Sequence, residues 1–533
     1  MLTKTRLILI VFLLSIVDID LCAQNSELTK AQMYEDFDSL ISVIEYNNPH
    51  LGIYKRVMDF DVVENIKELR SEIENIKDIT GYFLLISRCA NLIPEAHAQI
   101  LPLNEEAIKE FADSSLSSPV VIPPCDLQRT IDTYDSIWSK ASDYQEKYFN
   151  AMFYLPVSYI DGQYYLTRPL QLVNQQDTAG FCVGDRVTGL NEISINDFIK
   201  ENHRKYIDRL RWDVYNHQFY TECFLWVSDF PRESFPFNSL TITKKNGQQE
   251  TVPFNLHTRY IIDAEGFLKE RKDSLARYDR KPVIWYKDSL LYIKVPSMNP
   301  DDLELYETEI AKISRKQKIS NVILDVRKNG GGGDPVWEKI VSLLTDKPLY
   351  RHQMLGVSNR DVCKRYLPVA MDSVSLYNDP ILDRQFAIIA KESWAVAKPD
   401  SNSIQCKGKI YVLHDENTYS AANSLVTFAL GCDKLVAVGV PTGYLSGYGV
   451  NPFVFQLPLS KILFMMHSVI QIPEEVSSAD QYLWNQTEIR VIPSVRYANL
   501  FAEYQSFDFI YQYDFLNEYD PFFKAVMDDI YKK

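Results

Sequence analysis

From Lys281 onward, short apolar runs of strand type alternate with runs of helical type, and this alternation constrains the fold more than any other feature of the chain. Leu290-Leu-Tyr-Ile-Lys-Val295 reads as a strand, residues 302–318 as a helix, Asn321-Val-Ile-Leu-Asp-Val326 as a strand and the stretch after Pro335 as a helix. Lys409-Ile-Tyr-Val-Leu413 is again a strand, followed by a helix from about Ser420. The expectation is an α/β layered core over residues 281–500. The last segment, 501–533, is rich in Tyr and Phe and ends in a closing helix with Pro521 near its first turn.

The rest of the chain reads differently. Its 533 residues, 46% of them hydrophobic, exceed what one core holds, so two or three domains are expected. Over residues 29–88 Met33, Phe37, Leu40, Ile41 and Ile44 recur at three- and four-residue steps, which predicts an N-terminal helical domain across 24–150. Asn48-Pro49 ends its first helix, and a second run from Tyr82 stops at Pro94, just before His97. Residues 151–260 carry strand signals instead, with a hairpin turn at Lys245-Asn-Gly247. Within them, Gly180-Phe-Cys-Val-Gly-Asp-Arg-Val187 resembles the start of a PDZ domain, a module that takes peptide ends as an added strand; a plain β-rich insert is the alternative.

A net charge of −15 with no basic stripe argues against a nucleic-acid partner. At the N-terminus Lys4 and Arg6 precede an apolar run, residues 7–17, and Leu21-Cys22-Ala23 offers a cleavage site. This predicts a signal peptide over residues 1–23 and an exported protein of the periplasm or cell envelope. Membrane association is expected only if Cys22 is lipidated. The seven remaining cysteines are scattered, with no C-x-x-C pair, so neither a zinc site nor a disulfide framework is indicated. No metal or cofactor is expected.

Two segments bear chemistry. Leu324-Asp-Val-Arg-Lys-Asn-Gly-Gly-Gly-Gly-Asp334 sets four glycines after a strand, where they open unusual backbone angles and let amide groups face a ligand. Neither nucleotide-loop pattern fits it, and a bare strand-to-helix turn is the competing reading. In Lys409-Ile-Tyr-Val-Leu-His-Asp-Glu-Asn-Thr-Tyr-Ser-Ala-Ala422, Ser420 stands at a helix start, where the dipole favours a developing oxyanion. Serine is also among the commonest helix caps.

Taken together, the order strand, "D-[hydrophobic]-R-x-N-G-G-G", strand, "T-[hydrophobic]-S-A-A" resembles the S41 family of tail-specific, C-terminal-processing peptidases. The resemblance extends to Asn48-Pro49-His50-Leu51, Glu95-Ala-His97, the PDZ-like insert and Val438-Gly-Val-Pro-Thr-Gly443. It implies a ClpP/crotonase-like catalytic core and a serine endopeptidase acting on unstructured or C-terminal polypeptide segments. Ser420 would be the nucleophile, with N–H groups of Gly331 or Gly332 and of Ala421 around the oxyanion. No Lys stands between Lys434 and Lys461, so the Ser-Lys branch does not fit. In the tricorn-like Ser-His branch the base is His97, although its surroundings read Glu95-Ala-His97-Ala98 where "D-x-H-[ST]" is usual. His414 and His467 are the other histidines considered. The acid of the triad would be Glu488, ahead of the degraded element Arg490-Val-Ile-Pro-Ser494, with Glu475 and Asp480 as further options. The altered neighbours of His97 leave a second reading open, a peptide-binding protein that has lost catalysis. Because 323 positions separate the two residues (420 − 97), His97 can serve Ser420 only if the helical domain folds back onto the core.

Overall fold

A computed structural model of the chain describes residues 28–101, 152–227, 239–253, 259–260, 282–359 and 374–532, apart from 156, 168–169, 175–176, 206–209, 222–224, 316–317, 444–448, 450–451, 475, 480–481, 483–486 and 505–507. The signal peptide and Cys22, residues 24–27 and 102–150 of the expected helical domain, and the candidate acids Glu475 and Asp480 lie outside the described residues.

The alternating elements from residue 283 assemble into one six-stranded sheet. Its strands run, in spatial order, Val283–Lys287, Leu290–Lys294, Asn321–Asp325, Ile410–His414, Leu435–Gly439 and Ile489–Arg490; the first pair is antiparallel and the others are parallel. The central strands are rich in apolar residues because both faces are covered. Leu291, Ile293, Val322, Leu324, Ile410 and Val412 point to one face, against Trp337 and Ile340 of the helix Asp334–Leu344 and Leu425 and Val426 of the helix Ala421–Leu430. Tyr292, Ile323, Tyr411, Leu413, Val436 and Val438 point to the other, where the aromatic C-terminal segment supplies Tyr497, Phe501, Tyr511, Phe522 and Phe523. The final helix, Pro521–Tyr531, starts at an Asp520 cap with Pro in its first turn.

The N-terminal helices form as the apolar spacing requires. Lys30–Asn47 is closed at its start by a capping box of Thr29 and Gln32, and it buries Met33, Phe37, Leu40, Ile41 and Ile44. Leu51–Met58, Val62–Leu69 and Ile79–Asn91 follow. This unit shares its core with two antiparallel elements that no sequence signal announced. One is the four-stranded sheet of Leu349–Val357, Ser375–Asp379, Arg384–Ala397 and Val469–Pro473; the other is the hairpin Phe453–Gln456 with Leu463–Met466. Two joints fix the helices there. The Asp36 carboxylate accepts from the Leu459 and Ser460 N–H groups at 2.8 and 2.6 Å. The strand Gln99–Ile100 pairs with Leu463–Met466, Gln99 opposite Met465. The helical unit therefore does fold back on the core, and the strand that carries the return begins two residues after His97.

The β-rich unit has its own core and a six-stranded sheet, ordered Gln249–Pro253, Ser239–Thr243, Arg186–Leu190, Gln163–Leu166, Val157–Ile160, with Ile193–Ser194 beside Arg186–Leu190. The turn expected at Lys245-Asn-Gly247 joins Ser239–Thr243 to Gln249–Pro253. In the segment before Arg186–Leu190, Asp185 gathers N–H donors from Cys182 at 2.7 Å and Lys245 at 3.0 Å. The unit touches the serine segment directly: Arg211 Nη2 donates to Asn417 Oδ1 at 2.8 Å, and the Trp212 N–H to the Gly443 carbonyl at 2.9 Å.

Candidate active site

The glycine run and the serine segment meet at the C-terminal ends of neighbouring parallel strands, the end of an open α/β sheet at which ligands bind. Asn329, wholly buried, organises the glycine turn: its side-chain amide donates to the Val295 carbonyl at 3.0 Å, and its Oδ1 accepts the Gly331 N–H at 2.8 Å. Gly331 and Gly332 hold φ of 110° and 134°, angles that side chains resist. Space excludes side chains as well. A Cβ on Gly331 would stand 2.5 Å from the Ser420 Cβ, and one on Gly332 2.3 Å from the Met298 carbonyl oxygen.

The serine turn is clipped to the same loop. Thr418 donates its hydroxyl to the Val326 carbonyl at 3.1 Å, Asp415 Oδ1 accepts the Lys328 N–H at 2.9 Å, and the Tyr419 N–H donates to the Asn329 carbonyl at 2.9 Å. This accounts for the Thr two residues before the serine. Ser420 is at the N-cap of Ala421–Leu430, yet its side chain makes no capping bond. Its φ of 51° and ψ of −128° are sparsely populated for any residue with a side chain and cost about 1–3 kcal/mol. A helix cap has no need of that strain. An oxygen aimed away from its own helix, into space bounded by Gly331, does.

The Gly331 N–H is taken by Asn329, whereas among the described residues no acceptor takes the N–H of Gly332 or of Ala421, the first residue of its helix.

His97, half-buried, stands beside the residue that precedes Ser420: its Nδ1 and the Tyr419 hydroxyl are hydrogen-bonded at 2.8 Å, and the two rings lie 4.7 Å apart. His467 packs edge-on against His97, also at 4.7 Å. Behind them the buried Glu95 accepts the His467 backbone N–H at 2.8 Å, and its other oxygen lies 3.5 Å from His467 Nδ1 and 3.7 Å from His50 Nδ1. Burial pushes the Glu95 carboxyl up, but the neighbouring His467 and His50 more than reverse this and hold it well below the usual carboxylate range. The sequence pointed to Glu95 and His50 only as motif neighbours and gave them no role. What that reading lacked was any sign that residues 50, 95 and 467 converge.

Glu488 is elsewhere. Burial raises its carboxyl, and the charges it feels are those of Lys409, Asp529 and Asp433, at the start of the parallel strands, opposite to the end where Ser420 stands. It is not brought to His97. His414 is wholly buried at the end of its strand, and burial pushes its imidazole down to about 3, so it remains a neutral packing residue.

Residues 289–474 match the family model of peptidase family S41. That stretch is similar to an S41 peptidase domain. It holds the glycine turn and Ser420, while His97 and Glu488 fall outside it. Mature CPAF aligns over 89% of this chain and 95% of its own, at 13% identity and a TM-score of 0.50. Mature CPAF complexed with lactacystin aligns over 95% and 99%, at 13% identity and 0.51. At that identity the likeness is one of fold. A photosystem II D1 C-terminal processing protease covers 87% of this chain and 94% of its own, at 10% identity and 0.34. No curated protein sequence matches the chain.

Proposed function

We propose that the chain is an exported serine endopeptidase that cleaves unstructured or C-terminal polypeptide segments, with Ser420 as nucleophile and His97 as general base. The observation that carries this is Ser420 itself, strained, uncapped and lying against Gly331 in an S41 domain. In the reaction the Ser420 oxygen attacks the scissile carbonyl and passes its proton to His97. The tetrahedral oxyanion is held by the N–H groups of Gly332 and Ala421, at the positive end of the Ala421–Leu430 helix. Collapse expels the amine, which leaves with the proton from His97, and water then releases the acyl group.

With His97 Nδ1 engaged by Tyr419, Nε2 is the nitrogen that would take the proton. The β-rich unit, clamped to Asn417 and Gly443 beside the serine, would serve as the PDZ-like part that presents the polypeptide. Export rests on the N-terminal charge and apolar pattern alone.

Labelling with a fluorophosphonate, read alongside cleavage of an unstructured peptide, tests the assignment. The wild-type chain should label and cleave, and Ser420→Ala should do neither. Residual cleavage in that variant would remove Ser420 from the mechanism. The position of Glu488 beside Lys409 and Asp529 favours a second reading, a peptide-binding protein without turnover. Detection of an acyl-serine adduct eliminates that reading.

A further inference from the structure

The geometry points to Tyr419, backed by the buried Glu95–His467 pair, as what positions the His97 imidazole, in the place where a triad would use a carboxylate. The inference rests on the Ser420–His97 reading and adds to it the residues that set the base. Tyr419 and Ser420 are consecutive on one turn, and the backbone of Tyr419 is fixed at both ends. Its N–H donates to the Asn329 carbonyl, and its own carbonyl accepts the Ala422 N–H at 3.1 Å. The hydroxyl at 2.8 Å from His97 Nδ1 therefore belongs to the same rigid piece as the nucleophile, and the geometry of base and nucleophile is set locally.

The other side of the imidazole is bounded by His467, at a 72° ring angle. His467 cannot swing away. A Cβ on Gly449 would come within 2.3 Å of its ring, so that backbone lies directly against it, and Glu95 holds both its N–H and its Nδ1 side. Glu95 also anchors the backbone that carries His97, its carbonyl accepting the Ala98 N–H at 3.2 Å. Glu95 thus fixes the backbone that carries His97 through its own carbonyl, and the ring packed on His97 through its carboxylate.

The chemistry is that of an orienting acceptor. With Nδ1–H donating to the Tyr419 oxygen, the neutral imidazole is held in the tautomer whose Nε2 lone pair accepts the serine proton. When the imidazolium forms, the same Nδ1–H bond strengthens, and Glu95 lends its negative charge through His467. Tyr419 keeps its own proton throughout; the serine proton goes to Nε2 and then to the leaving amine. Among the described residues, Tyr419 and His467 face His97, and Glu95, His50, Tyr54, Tyr482 and, beyond His50, Arg384 are packed behind them.

Fluorophosphonate labelling rate, measured against pH, separates a positioning role from a structural one without needing the natural substrate. Tyr419→Phe keeps the ring and removes the acceptor. Its rate should fall by about tenfold or more, and the midpoint of its acid limb should move to lower pH, because the imidazolium has lost a stabilising partner. Glu95→Gln, similar in shape, should move the limb in the same direction. Thermal melts check that both variants remain folded. A Tyr419→Phe enzyme with wild-type rate and limb overturns the proposal, as does a uniform loss at every pH. So does inactivity in Glu488→Gln with Tyr419→Phe intact, which would restore the carboxylate. A wild-type chain that does not label, or a His97→Ala variant that labels normally, defeats the peptidase reading instead.

Discussion

Ser420 sits at φ 51° and ψ −128°, a conformation that glycine adopts without strain and other residues do not. The fold enforces it by holding the residue on both sides, through the Asn329 carbonyl before it and the helix after it. If that strain serves only the placement of the hydroxyl, relieving it should trade activity for stability. Ser420→Gly is therefore expected to be inactive, yet more stable than Ser420→Ala by about 1 kcal/mol, the difference that a glycine-type conformation makes. Urea denaturation of the two variants gives the comparison; a glycine variant less stable than the alanine one would show that the angle is not a source of strain.

At the scale of elements, strands and helices with strong local signals were legible. The run Asn321–Asp325 before four glycines, the helix opened by Pro335 and the Thr29-capped helix each follow from spacing and punctuation. The four-stranded antiparallel sheet was not. In Leu349–Val357 the apolar residues are broken by Arg351, His352 and Gln353, and Arg351 is buried because its guanidinium finds the Ser424 carbonyl and Gln471 Oε1 in neighbouring elements. The site was half legible for a similar reason. Ser420 and the glycines lie in motifs, but the His50, Glu95 and His467 cluster exists only once a helix end, a turn and a hairpin meet. The strand Ile410–His414 makes a prediction of its own, since His414 closes it in a dry environment and its imidazole is pushed down to about 3. A histidine depressed in the folded state binds its proton more readily when unfolded. Its contribution is fully present above about pH 6.5 and is lost as pH falls from there toward 3, by about 1.4 kcal/mol per pH unit. His50, lowered by its own burial, acts in the same direction. His414→Leu should therefore flatten the acid side of a stability–pH curve without abolishing its slope, and a curve identical to wild type would contradict the burial argument.

The whole molecule is held at the site from both ends of the chain. The N-terminal helices bring in His97, and the C-terminal segment covers the second face of the sheet and sends Asp520 into its interior. There Arg327, two residues before Asn329, donates Nη1 to Asp520 Oδ2 at 2.7 Å and meets Asp325, which also takes Lys294 at 3.2 Å and the Tyr292 hydroxyl at 2.7 Å. All four charged groups are buried, and two cations balance two anions. Asp520 has a second duty as the cap of Pro521–Tyr531, its Oδ1 accepting the Phe522 and Phe523 N–H groups at 2.8 and 3.1 Å. Asp520→Asn separates the two duties, because asparagine caps a helix as well as aspartate does but carries no charge. The variant leaves one buried cation in excess, and the expected loss is about 3–5 kcal/mol. Lys294 is the group that can relieve it, since burial already holds its amine below the ordinary lysine range. A lysine depressed in the folded state gains relative stability as pH rises toward its unfolded value of about 10.4, so the deficit of Asp520→Asn should narrow between pH 7 and pH 10. Guanidinium denaturation at the two pH values measures this. A deficit that is small at pH 7, or one that does not narrow, would mean that the C-terminal helix is held by its aromatic packing alone and that Asp520 does not stabilise the glycine loop.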